Sequence, residues 1–112
     1  MRVTYNKLIR DRVPEIIESD GHRAVTRVLP EQDYRAALLA KLVEEAREAE
    51  NAPDGELAGE LADVWEVFRA LLATLPMTRH ELEALAAAKR DKRGGFDGRI
   101  FLEYIEQAPG TR

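Results

Sequence analysis

The sequence predicts an all-α domain, an antiparallel bundle of three long helices with short terminal pieces. Three observations carry that prediction. Apolar residues recur at three- and four-residue spacing over 31–50, again over 57–75, and again from 78 to about 92, the period of helices with one buried face. Punctuation falls between these stretches, at NAPDG (51–55), at Pro76 and at Gly94-Gly95. Finally, Thr78-Arg79-His80-Glu81 has the Ser/Thr-x-x-Glu form of a capping box, a signature of a helix start.

In chain order, PEIIESD (14–20) predicts a short first helix, with Pro14 suited to its first turn and Gly21 placed to end it in a left-handed conformation. RAVTRVL (23–29) mixes β-branched and polar residues before Pro30 and reads as an extended connector or short strand. Helix formers dominate 31–50, where Leu38, Leu42, Ala46 and Ala49 line one face. NAPDG breaks this helix, and Asp54 is available to N-cap the next. That helix carries Leu57, Leu61, Val64, Phe68, Leu71 and Leu72, runs to Leu75 and stops at Pro76. So short a connection makes the two helices antiparallel neighbours. The third long helix runs from the capping box through Leu82, Leu85 and Ala86 to about Lys92. FDGRIFLEYIEQ (96–107) is apolar enough to pack, and about 109–112 reads as a frayed tail.

At 112 residues and 45% hydrophobic content the chain suits one domain spanning 1–112. The absence of cysteine removes disulfides, thiolate chemistry and Cys-ligated zinc, and favours the cytoplasm. No stretch approaches a membrane span, and MRVTYNKLIRDRVPE lacks the apolar core of a secretory signal. A net charge of −4 disfavours duplex nucleic acid as a partner. It does not disfavour a small anion, whose site a metal or a local basic group can make positive.

The acidic residues are the distinctive feature. KLVEEAREAE (41–50) places Glu45 and Glu48 three apart, on one side of a helix and one turn from each other. Glu60 and Asp63 repeat that spacing in the next helix, and antiparallel packing across NAPDG brings the two pairs together. Facing carboxylates repel by several kcal/mol in a partly buried setting unless positive charge lies between them. A hard divalent cation supplies it: Mg²⁺, with its oxygen ligands and retained waters, or Mn²⁺ in its place. The plain alternative is solvated surface charge, with Lys41 and Arg47 as neighbours of Glu45. Against that, Glu60 and Asp63 interrupt the otherwise apolar run GELADVWEVF, where unpaired burial is costly.

EEARE (44–48) followed by ELAD (60–63) resembles the EExxE and ExxD motifs of the MazG-type all-α nucleoside triphosphate pyrophosphohydrolases. YNKLIRDRVPEII and KRDKRGGF are similar to the MazG-like branch described as house-cleaning pyrophosphatases related to phosphoribosyl-ATP pyrophosphohydrolase, so the resemblance covers about 5–105. It implies a MazG-like bundle that assembles as a homodimer or tetramer, and Mg²⁺ held by Glu45, Glu48, Glu60 and Asp63. Glu44, the first position of EExxE, would orient a water or a group that supports the ligands. The implied reaction is attack of water on the α-phosphorus of a nucleoside triphosphate, releasing the monophosphate and pyrophosphate. House-cleaning of noncanonical nucleotides is the role that the branch suggests.

Two basic groups admit two readings each. Lys89, Lys92 and Arg93 are either cations favoured by a helix C-terminus or contacts to phosphate oxygens. Lys7, Arg10 and Arg12 are either surface charge or a substrate clamp. Trp65 suits the core, a dimer interface or a wall for a stacked base. His22 and His80 have no triad-like context, and no Rossmann glycine pattern, Walker A loop or zinc motif is present. Apolar stripes this wide exceed what one small bundle needs, which independently points to a homodimer. The competing functional class is a catalytically silent helical dimer that binds a nucleotide or a protein partner through the same surfaces.

Overall fold

The computed structural model describes residues 1–110. Among these the protein has four helices, α1 (Val13–Ser19), α2 (Glu31–Asn51), α3 (Leu57–Leu72) and α4 (Arg79–Arg93), a single 3₁₀ turn (Asp54–Glu56), and no strand. The chain divides into two compact units, Met1–Pro76 and a second beginning at Met77.

In the first unit α1 starts with Pro14 in its first turn, where the missing N–H is no loss. It ends in a Schellman motif: the His22 N–H reaches the Ile17 carbonyl at 3.2 Å and the Gly21 N–H reaches Glu18 at 3.0 Å. Gly21 adopts φ 89°, the left-handed geometry that this closure requires. Residues 23–29 form an extended connector without a strand; Val25 and Val28 in it are exposed. α2 and α3 then pack along each other. Arg35, near the start of α2, donates to the Thr74 hydroxyl at 3.2 Å and to the Thr74 carbonyl, just past the end of α3. Carboxylates late in α2 meet carboxylates early in α3, so the hairpin is antiparallel. Its core is thin: Leu38 and Val67 are the buried apolar residues among those described.

Two boundaries depart from the sequence reading. Asp54 does not N-cap α3; it opens the 3₁₀ turn, and the residue before α3 is Glu56, which makes no side-chain cap. With Pro53 extended at ψ 151° the chain re-enters helix through this tighter turn, which takes over the capping role. α3 also ends at Leu72, before Pro76, because the Thr74 hydroxyl bonds back to the Leu71 carbonyl at 2.7 Å and closes the last turn.

In the second unit the capping box forms as expected. Thr78 Oγ1 accepts from the Glu81 N–H and Glu81 Oε1 accepts from the Thr78 N–H, both at 3.1 Å. α4 terminates at Gly94, φ 81°. The apolar stretch after it is exposed: Phe96, Ile100 and Phe101 by 97, 92 and 86%. Asp97, Gly98 and Arg99 turn the backbone there, with Arg99 at φ 54°, and no regular element forms to aim these side chains at a common face. Of the tail at 109–112, Pro109 and Gly110 form a turn, and Thr111 and Arg112 lie outside the described residues.

Candidate metal centre

Helical periodicity assembles the site. On α3, Glu60 and Asp63 stand one turn apart beside the buried Val67, and on α2 Glu45 projects from the same face as Leu38. Carboxylate oxygens of Glu45, Glu60 and Asp63 lie within 4.8 Å of one another. Glu45 is 7% exposed, the one buried charged residue among those described. Glu45 Oε2 and Glu60 Oε2 are both buried without a hydrogen-bond partner. At that separation each pair of like charges costs on the order of 3 kcal/mol for an effective dielectric near 20. Two buried acceptors left empty add a further desolvation penalty.

The cluster is only partly neutralised from within. Lys41, 16% exposed at its side chain, reaches Glu45 Oε1 at 3.4 Å and Glu44 Oε2 at 3.5 Å. Lys7 Nζ donates to Glu44 Oε1 at 3.1 Å, and Arg10 donates to Asp63 Oδ1 at 2.7 Å. These contacts set opposite titration behaviour on adjacent residues. Burial pushes the Glu45 carboxyl above the ordinary glutamate value, the charge of Glu48 adds to that, and Lys41 opposes it. Burial acts on Glu44 in the same sense, but the hydrogen bond from Lys7 and the charges of Lys41 and Lys7 outweigh it and lower its pKa. Lys7 is raised in turn, chiefly by its hydrogen bond to Glu44.

Comparison with known proteins adds one relative. The chain is 46% identical over 55 residues to an uncharacterized protein of Mycolicibacterium smegmatis, a match that covers 47% of this chain and 56% of that protein. The chain thus matches little more than half the length of that relative. No protein-family model matches the chain, and no solved structure matches it.

The donor set suits a hard divalent cation. It consists of carboxylate oxygens on two helices, and hard divalent ions such as Mg²⁺ or Mn²⁺ take oxygen ligands of this kind. Of the four carboxylates in the paired motifs, three come together. Glu48 is exposed and outside the close group, yet near enough for its charge to act on Glu45 and Lys7. Glu44 stands at the rim, held by two lysines. Lys7 and Arg10 reach the cluster, whereas Arg12 precedes α1 with an exposed side chain and makes no ion pair with these carboxylates. Lys89, Lys92 and Arg93 are exposed along the C-terminal half of α4, in the second unit. Beside the carboxylates, Leu42, Leu61, Val64, Trp65 and Phe68 line an apolar groove of about 330 Å³, with the Trp65 and Phe68 rings stacked at 5.6 Å.

Lys41 is the participant that sequence reading undervalued. It reads as a solvated neighbour of Glu45, but its Nζ sits between two glutamates, with its stem largely buried. The signal was present in its spacing: Lys41 lies three residues before Glu44 and four before Glu45, the two separations at which helical side chains meet.

Proposed function

We propose that this chain is a Mg²⁺-dependent nucleoside triphosphate pyrophosphohydrolase that cleaves between the α- and β-phosphates. The observation that carries the reading is the convergence of Glu45, Glu60 and Asp63, two of which each have a buried, partnerless oxygen. The EExxE and ExxD resemblance supplies the reaction. Glu45, Glu60 and Asp63 would hold the cation, with the exposed Glu48 as the fourth carboxylate of the motifs. When bound, Mg²⁺ supplies the positive charge that offsets phosphate oxygens and increases the acidity of water.

The chain's own residues account for the rest. Glu44, held beside Lys41, is the hydrogen-bond acceptor that orients a water and takes up its proton. The water oxygen bonds to the α-phosphorus, the bond from that phosphorus to the bridging oxygen breaks, and pyrophosphate leaves with the electron pair. No side chain becomes covalently attached. Lys7, Arg10 and Arg12, together with Lys89, Lys92 and Arg93, are the candidate phosphate contacts. The exposed apolar groove on the α2–α3 hairpin supports assembly as a homodimer, or a tetramer built from it, in which a second copy covers that face.

The test is a panel of canonical and modified nucleoside triphosphates incubated with the protein and Mg²⁺. Monophosphate and pyrophosphate should appear in equal amounts, and chelation should abolish their formation. Orthophosphate as the primary product, or full activity in chelator-treated protein, contradicts the reading. A silent nucleotide-binding dimer predicts binding without release of pyrophosphate from any nucleotide of the panel.

A further inference from the structure

The segment before α1 contacts the carboxylate cluster directly. Lys7 is 37 residues from its partner Glu44 and Arg10 is 53 residues from Asp63, so these contacts fasten the segment to α2 and α3 at once. Both pairs lie at the rim: the side chains are 42 and 32% exposed for Lys7 and Glu44, and 57 and 43% for Arg10 and Asp63. Glu45 Oε2 and Glu60 Oε2 are buried and without partners. Arg10 therefore occupies an oxygen of a carboxylate that belongs to the close group.

We propose that residues 5–12 form a displaceable counter-cation arm, with Arg10 on Asp63 and Lys7 on Glu44, that a divalent cation must dislodge to occupy the cluster. The inference rests on the reading of the cluster as a divalent-cation site. Its physical basis is competition with Arg10 for Asp63, together with repulsion of Lys7 on the neighbouring Glu44 by the entering charge. An oxygen engaged by a guanidinium is not available as a metal ligand in the same geometry. A divalent ion among three carboxylates would also offset the charges of Glu45 and Glu60, which Lys7 and Arg10 do not pair with. The exposure of both pairs is what makes the arm releasable, since solvent-screened ion pairs are individually weak. Metal entry and arm release are then one event, which frees two cations beside the site at the moment when a phosphate ligand needs them.

The experiment uses the full chain and Mn²⁺ as the probe. Calorimetric titration should give Mn²⁺ affinity that is about two- to fivefold tighter in Arg10→Gln, and about tenfold tighter in the double variant Lys7→Met/Arg10→Gln, the gain expected from removing weak competing ion pairs. In the unsubstituted protein, amide exchange over residues 5–12 should accelerate on saturation with Mn²⁺. Asp63→Asn should lose both the binding and the exchange response. Unchanged or weaker Mn²⁺ affinity in both arm variants, or exchange in the arm that ignores Mn²⁺, overturns the proposal while the cation site survives. Failure of the protein and all variants to bind Mn²⁺, or undiminished binding by Asp63→Asn, overturns the cation site itself.

Discussion

At the scale of single residues, Glu45 concentrates the conflict in the site. It is buried, carries an orphan oxygen, and has a pKa raised above the ordinary glutamate value near 4.5 by burial and by Glu48. A carboxyl whose pKa is higher in the folded state binds more protons folded than unfolded, so its contribution to stability falls as pH rises from about 4.5 through the folded value. Glu45→Gln should therefore stabilise the metal-free protein by about 1 kcal/mol at pH 7, the amide also gaining carboxylate acceptors, with the gain vanishing toward pH 4. Urea denaturation at a series of pH values measures this, and a gain independent of pH would refute the electrostatic account. Glu60→Gln and Asp63→Asn each keep the side-chain shape and remove one charge of the close group. Each should lower Mg²⁺-dependent hydrolysis by more than about a hundredfold and leave the helical circular-dichroism signal in place. That Glu60 and Asp63 share one side of α3 was legible in the sequence because helix geometry alone fixes a three-residue spacing, whereas Glu48 at the same spacing from Glu45 lies outside the close group. The attachment of Arg10 to Asp63 was not, because no local rule links residues so far apart.

At the scale of elements, the three long helices and the short first one were legible because periodicity and punctuation agree. The capping box at Thr78 formed because both of its partners are within the same turn. Asp54 failed as a cap, and α3 stopped before its proline, since each depended on local turn geometry that composition leaves open. The apolar segment at 96–107 reads as packing material, yet burial requires a facing surface, which residue type alone does not supply. Two substitutions test how the elements are held. Thr78→Ala removes the acceptor of the Glu81 N–H and should cost about 1 kcal/mol, seen as faster amide exchange through the first turn of α4; unchanged exchange there would show that the cap contributes nothing. Leu38→Ala empties the best-buried position of the α2–α3 hairpin and should cost about 2–4 kcal/mol in chemical denaturation.

For the whole molecule, a core with so few buried apolar side chains leaves Leu61 and Trp65 about half exposed at the groove, at 53 and 48%, an apolar face that a second copy would cover. Analytical ultracentrifugation at micromolar concentration should give a dimer or larger species, and Trp65→Glu should shift it toward monomer; an unsubstituted monomer with full activity would remove the need for a second copy. No helix among the described residues is long and apolar enough to cross a membrane. The most direct test of the central claim is hydrolysis of a nucleoside triphosphate in ¹⁸O-labelled water with Mg²⁺, read by mass spectrometry of the products. Attack at the α-phosphorus predicts the label in the monophosphate and unlabelled pyrophosphate, with no turnover in Asp63→Asn; label in the pyrophosphate or in orthophosphate would contradict it.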